Sequence, residues 1–143
     1  MALVYFDSSA LVKLVVDEHG SELAAALWNA CDAALSSRLA YPEVCAALAA
    51  AGRNNDLSAS EASAAMAEWD TFWAAMRPVE LSSDVEQRSG ELAALHSLRG
   101  ADAVHLASAL ALGTADLTVA AWDRRLHAAA TASGLAVAPA TIS

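Results

Sequence analysis

The chain has 143 residues, 57% of them apolar and 17% charged, with a formal net charge of -9. A chain of this length buries roughly 68–70% of the surface its unfolded form exposes, so it folds without needing a metal or disulfide, and its apolar content excludes disorder over most of its length. Lys13 and seven arginines stand against seventeen carboxylates, which excludes a general basic patch for nucleic acid and means that a polyanionic ligand would need a metal ion.

Leu3–Phe6 is a short apolar run of strand formers followed at once by Asp7, Ser8 and Ser9, the pattern of a buried strand ending in a helix cap. A short helix over Ser9–Val16 and another starting at Ser21, with Leu23, Leu27 and Ala30 on one face, lead to a weak strand at Ala33–Ser36. Val44, Ala47, Leu48 and Ala51 recur at helical spacing over Leu39–Ala51, with Gly52 as the stop. Pro42 is tolerated only in the first turn, so Glu43 lies near that helix's N-terminus.

Arg53–Asp56 reads as the tip of a helical hairpin. Beyond it, Ser58-Ala59-Ser60-Glu61 is a capping box, and Ala62, Ala65, Met66, Trp69, Phe72, Trp73 and Met76 carry an apolar stripe. Pro78–Leu81 predicts a third strand, and Ser83-Asp84-Val85-Glu86 a second box opening a helix to about His96. After a break at Arg99-Gly100, Ala101–Leu112 is apolar apart from Asp102, His105 and Ser108, as a buried helix is. Gly113-Thr114 turns into a strand at Leu117–Ala120, Asp123–Ser133 is a helix stopped by Gly134, and Leu135–Val137 is the last strand. Alternating strands and helices, both buried, predict an α/β fold: one domain over residues 1–143, a parallel sheet of four to five strands flanked by helices on both faces.

No apolar run approaches the ~20 residues of a membrane span, and Met1–Asp7 lacks the basic flank and length of a signal peptide, so a cytoplasmic location is expected. Cys31 and Cys45 form no CxxC pair and read as small buried apolar residues.

In open α/β sheets ligands bind beyond the carboxyl ends of the strands. Asp7 follows the first strand there, Asp123 the fourth, Glu43 opens the helix after the second, and Asp102 begins the buried helix. Asp7 and Asp123 each have an ordinary reading as helix caps. Asp102 is harder to explain that way, because a carboxylate entering a desolvated interior needs a cation or a proton, and Arg99 is the nearest base. Carboxylates converging on one site repel one another, and a divalent ion relieves this; an all-oxygen set suits Mg²⁺ or Mn²⁺ rather than zinc.

Asp7-Ser8-Ser9-Ala10-Leu11-Val12-Lys13-Leu14, Pro42-Glu43-Val44, Gly100-Ala101-Asp102-Ala103-Val104-His105-Leu106-Ala107 and Trp122-Asp123-Arg124-Arg125-Leu126 resemble, in order and spacing, the four signature segments of PIN-domain nucleases, and within them the VapC-type toxins of toxin–antitoxin pairs. The resemblance implies strand order 3-2-1-4-5, an acidic pocket of Asp7, Glu43, Asp102 and Asp123, and metal-dependent cleavage of RNA. Asp7, Asp102 and Asp123 would hold Mg²⁺ or Mn²⁺, and Glu43 would position the attacking water or complete a second metal's shell. It also implies a VapB-type antitoxin that sends a basic side chain among the acids, and a homodimer with Trp69, Phe72 or Trp73 near the seam. One departure is Ala121, where a Ser or Thr often stands two residues before the fourth acid.

Other polar residues have competing readings. Ser8 is read as a helix cap first and as support for the acids second, and His105, on the face of Asp102, as a core or supporting histidine rather than a ligand. Arg124 and Arg125 suit RNA phosphate, antitoxin acids or solvent equally. Without a Gly-x-Ser-x-Gly elbow or a Cys-His pairing, covalent nucleophilic catalysis is not expected. A phosphohydrolase using Asp7 as nucleophile is the alternative enzyme, weakened because Ser9 stands where its second Asp should be. A non-catalytic interaction module, its acids merely capping helices, is the alternative of another class.

Overall fold

The computed structural model describes residues 1–113 and 115–143. It is a five-stranded, wholly parallel sheet of β1 (Leu3–Phe6), β2 (Ala33–Ser37), β3 (Arg77–Val79), β4 (Leu117–Ala120) and β5 (Ala136–Ala138), in the order β3-β2-β1-β4-β5. The strand order implied by the resemblance is therefore the observed one. Among the described residues seven helices connect and cover it: α1 (Ser8–Val15), α2 (Ser21–Ala30), α3 (Ala40–Arg53), α4 (Ala59–Ala74), α5 (Ser83–His96), α6 (Gly100–Leu110) and α7 (Arg124–Ala132).

Alternation along β1 divides the core in two. Tyr5 points to a cluster that includes Val85, Leu92, Leu106 and Leu126, on the side of α5, α6 and α7. Val4 and Phe6 point to a cluster with Leu11, Val44, Leu48 and Trp69, on the side of α1, α3 and α4. The strand order reverses at β1, between β2 and β4, and such a switch point opens a crevice at the carboxyl ends of the strands.

Local chemistry moves several boundaries from their expected places. Asp7 rather than Ser8 caps α1, its carboxylate accepting from the Ala10 N–H, so the helix begins at Ser8. Gly52 does not stop α3, which runs to Arg53; the left-handed residue of the following turn is Asn55 (φ 61). The cap of α5 is Ser82, not Ser83, because the Ser82 hydroxyl accepts from the Val85 N–H. The α6 helix begins at Gly100, and β5 starts one residue late, at Ala136, leaving Leu135 in the core. The expected Gly113-Thr114 turn includes Thr114, which lies outside the described residues.

Cys31 and Cys45 are half-buried free thiols rather than enclosed core residues, the first lending its S–H to the Trp28 carbonyl. Trp69 is fully enclosed and packs against Tyr41 and Trp73, which makes it core rather than interface, whereas Phe72 and Trp73 remain half-buried. No helix among the described residues is long and apolar enough to cross a membrane.

Candidate active site

The topology brings the elements carrying the four acids to the switch point. Asp7 ends β1, Asp123 follows β4 and caps α7 by accepting from the Leu126 N–H at 3.0 Å, Glu43 stands in the first turn of α3, and Asp102 in the first turn of α6. The capping reading of Asp7 and Asp123 is thus correct as far as it goes. Each uses one oxygen, Oδ1, as a cap.

Their environments differ. Asp7 is 3% exposed, and burial pushes its carboxyl from the ordinary 3.8 up to about 6, against the opposing pull of His105, the Ser9 hydroxyl and the Ala10 N–H. Burial raises Glu43 as well, but hydrogen bonds from His105 and Ser8 outweigh it and hold that carboxyl below its usual range. Asp102 and Asp123 share one counter-ion, Arg99: Nε is 3.0 Å from Asp102 Oδ2, and Nη2 is 3.4 Å from Asp123 Oδ2. That guanidinium is 73% exposed, so it lies on the rim.

Among the described residues no three His, Cys, Asp or Glu side chains converge as a ready-made metal cage. The donor chemistry nevertheless fits a hard cation. It consists of carboxylate oxygens only, one of them buried and short of positive charge, and two others already gathered by a cation. Beside them an open depression of about 550 Å³ is lined by Arg99, Trp122, Asp123, Arg124 and Arg125, the last two exposed at the start of α7.

Ser8 does not cap. Its hydroxyl donates to Glu43 Oε1 at 2.5 Å and lies 3.2 Å from His105 Nε2. The same nitrogen is 2.7 Å from Glu43 Oε1, so Ser8, His105 and Glu43 meet without forming a nucleophilic triad, which needs hydroxyl and carboxylate on opposite ring nitrogens. The Ser8 proton points to a carboxylate rather than to the imidazole, so Ser8 is not set up as a nucleophile by His105. Ser9, at the second position of a phosphohydrolase motif, supplies a hydroxyl where that chemistry needs an acid.

A model of the PIN domain matches residues 4–132. The chain belongs to the PIN-domain family. It is 66% identical over 142 residues, covering 99% of both chains, to the proteins named Ribonuclease VapC45 and Ribonuclease VapC49 of Mycobacterium tuberculosis, and 36% identical over 137 residues to Ribonuclease VapC46 of that organism, covering 96% and 97%. Solved structures share the fold at low identity. A toxin–antitoxin complex from Klebsiella pneumoniae has a TM-score of 0.68 at 18% identity, covering 100% of both chains. FitAcB from Neisseria gonorrhoeae has 0.69 at 17%, covering 94% and 95%.

Sequence reading of this PIN domain offered Ser8 and His105 as supports of the acids but missed Ser9. Ser9 Oγ donates to Asp7 Oδ1 at 2.6 Å and accepts from the Trp122 N–H at 3.1 Å, tying the first acid to the loop that carries Asp123. A hydroxyl thus reaches this loop from α1, although Ala121 provides none. Trp122 is itself wedged: Gly20 (φ 91) lies so close that a Cβ there would sit 2.8 Å from the indole nitrogen, and the Lys13 ammonium is 5.2 Å from the ring centroid. The separation of 113 residues between Ser9 and Trp122 leaves no local pattern by which to find the bond.

Proposed function

We propose that this chain is a toxin endoribonuclease of the VapC type, residues 1–143 forming one nuclease domain that hydrolyses phosphodiester bonds of cellular RNA in the cytoplasm with Mg²⁺ or Mn²⁺. What supports the reading is a chain 66% identical over its length to proteins named ribonucleases, with its four acids on elements that meet at the carboxyl ends of the strands and Asp102 and Asp123 sharing Arg99.

Asp7, Asp102 and Asp123 would hold the metal, and the buried charge of Asp7 gives the strongest demand for it. When bound, the ion supplies Lewis-acid polarisation of the scissile phosphate and positive charge for the transition state. Glu43, with Oε1 taken by Ser8 and His105, turns Oε2 to the attacking water and takes up its proton there. Arg99, which pairs with Asp102 and Asp123, stands with Arg124 and Arg125 along the depression, where RNA phosphates or acidic groups of a partner would lie.

The partner is a VapB-type antitoxin, consistent with the toxin–antitoxin complex among the structures of this fold. A basic side chain from it would meet the same unneutralised carboxylates and compete with metal. A homodimer, with Phe72 or Trp73 near the seam, completes the assembly. The test is cleavage of total RNA by the purified chain, the new ends read by sequencing. Defined cuts that need Mg²⁺ or Mn²⁺ and vanish in Asp102→Asn are the expected result; metal-independent cuts, or full activity in that variant, would refute the proposal.

A further inference from the structure

We infer that His105 is a positioning residue, braced by Tyr5, that fixes Glu43 for the reaction; this rests on the reading of Glu43 as the acid that holds the attacking water. His105 is 2% exposed, and a buried imidazole needs partners on both ring nitrogens. Both are present. Nε2 is 2.7 Å from Glu43 Oε1, and an ionised carboxylate has no proton to give, so Nε2 donates. Nδ1 is 2.8 Å from the Tyr5 hydroxyl, with the two rings edge-on at 76°.

The brace is rigid from both ends. Tyr5 is fully buried on β1, two residues before Asp7, and His105 is on α6, three residues after Asp102. The run from Tyr5 through His105 to Glu43 therefore links the strand of the first acid, the helix of the third and the helix of the second. Glu43 needs this. Its side chain has three torsions and lies at the protein surface's edge, where it would otherwise sample solvent-facing rotamers and lose the alignment that makes proximity effective. Ser8 adds a second hydrogen bond to the same oxygen, so neither bond engages Oε2.

The experiment compares His105→Leu, His105→Gln, Tyr5→Phe, Glu43→Gln and the double variant Glu43→Gln/His105→Leu, using a synthetic RNA oligonucleotide carrying the strongest site cut in total RNA. His105→Leu should lower kcat about 10- to 100-fold with KM changed less than about twofold, as loss of an orienting partner does. His105→Gln, whose amide nitrogen can still donate to Glu43, should recover most of that loss, and Tyr5→Phe should fall between. The double variant should be no slower than Glu43→Gln alone. Losses that add in the double variant, or a His105→Gln as slow as His105→Leu, would overturn the inference. A Glu43→Gln variant that cleaves at the wild-type rate would instead overturn the reading of Glu43, and this inference with it. If His105→Leu does not fold, nitrogen-15 NMR of the wild-type ring decides: a proton on Nε2 supports the bond to Glu43, and a ring protonated on Nδ1 alone overturns it.

Discussion

Replacing Asp7 by Asn should make the metal-free protein more stable while removing its activity. The substitution preserves shape, and Asn Oδ1 can still accept from the Ser9 hydroxyl and the Ala10 N–H, so the cap of α1 survives. What disappears is a desolvated negative charge. In the folded chain the Asp7 carboxyl is pushed from 3.8 up to about 6. Below the lower value it is neutral both folded and unfolded, and burial carries no electrostatic penalty. As pH rises through the upper value the folded chain is left with a buried charge that the unfolded chain keeps in water. The gap, at about 1.36 kcal/mol per pH unit, amounts to about 3 kcal/mol of lost stability above pH 6. In EDTA at pH 7.5, Asp7→Asn should therefore be more stable by up to about 3 kcal/mol, or about 6–12 °C in Tm. The advantage should shrink between pH 6 and pH 4 and vanish by pH 3.5. Urea denaturation at several pH values measures it directly. Mg²⁺ at a hundred times its Kd would return about 2.7 kcal/mol to wild type and nothing to the variant. A variant less stable than wild type at pH 7.5, or a difference independent of pH, would refute the account of Asp7 as an unneutralised buried charge.

Three further outcomes are expected. Ser9→Ala removes a donor to Asp7, so the acid limb of the cleavage profile should move to higher pH by about one unit; a lower Tm with the limb unmoved would mean that Ser9 only holds the Trp122 loop. Arg99→Gln frees Asp102 and Asp123 from a competing cation, and calorimetry should find Mg²⁺ bound about two- to fivefold more tightly, as loss of an exposed ion pair allows; weaker binding would show that Arg99 supports the metal site. Asp123→Ser retains a side-chain cap for α7 and should unfold as wild type does, yet bind Mg²⁺ at least about tenfold more weakly; unchanged affinity would confine Asp123 to capping.

The parts of this fold that were legible in the sequence are those written in periodicity and caps. The continuous apolar run at β1, the box at Ser58 and the all-round apolar α6 each specify an element from within a dozen residues. Where two neighbouring residues have equal capping chemistry, as Ser82 and Ser83 do, only the three-dimensional approach of the Val85 N–H decides between them. The places of the four acids, at strand ends and in first helical turns, were legible because those boundaries are marked locally. Of their supports only Ser8 and His105 were offered, without their partners, and Ser9 and Tyr5 were not. Ser9 reaches Trp122, Tyr5 reaches His105 and His105 reaches Glu43 across 113, 100 and 62 residues, and a hydroxyl, phenol or imidazole at such a position has an equally good reading as cap or core. Ser8 shows the difference: adjacent to an acid that itself caps, it was free to serve Glu43 instead.

Arg99 and Asp7 together explain how a site of this kind would separate its cations. Both ion pairs of Arg99 are with the outer acids, Asp102 and Asp123, and none is made with Asp7 among the described residues. The Arg99 side chain is 73% exposed and keeps its hydrogen bonds at the rim, whereas Asp7 is only 3% exposed. The in-chain cation thus relieves repulsion between two acids while leaving the most desolvated charge unanswered. A compact ion, or a flexible amine or guanidinium delivered from another chain, would be needed to answer that charge as well. On this argument the depth of Asp7, rather than the number of acids, would set any preference for a metal over Arg99, and a basic side chain from a partner would compete in proportion to how closely it approached that one carboxylate.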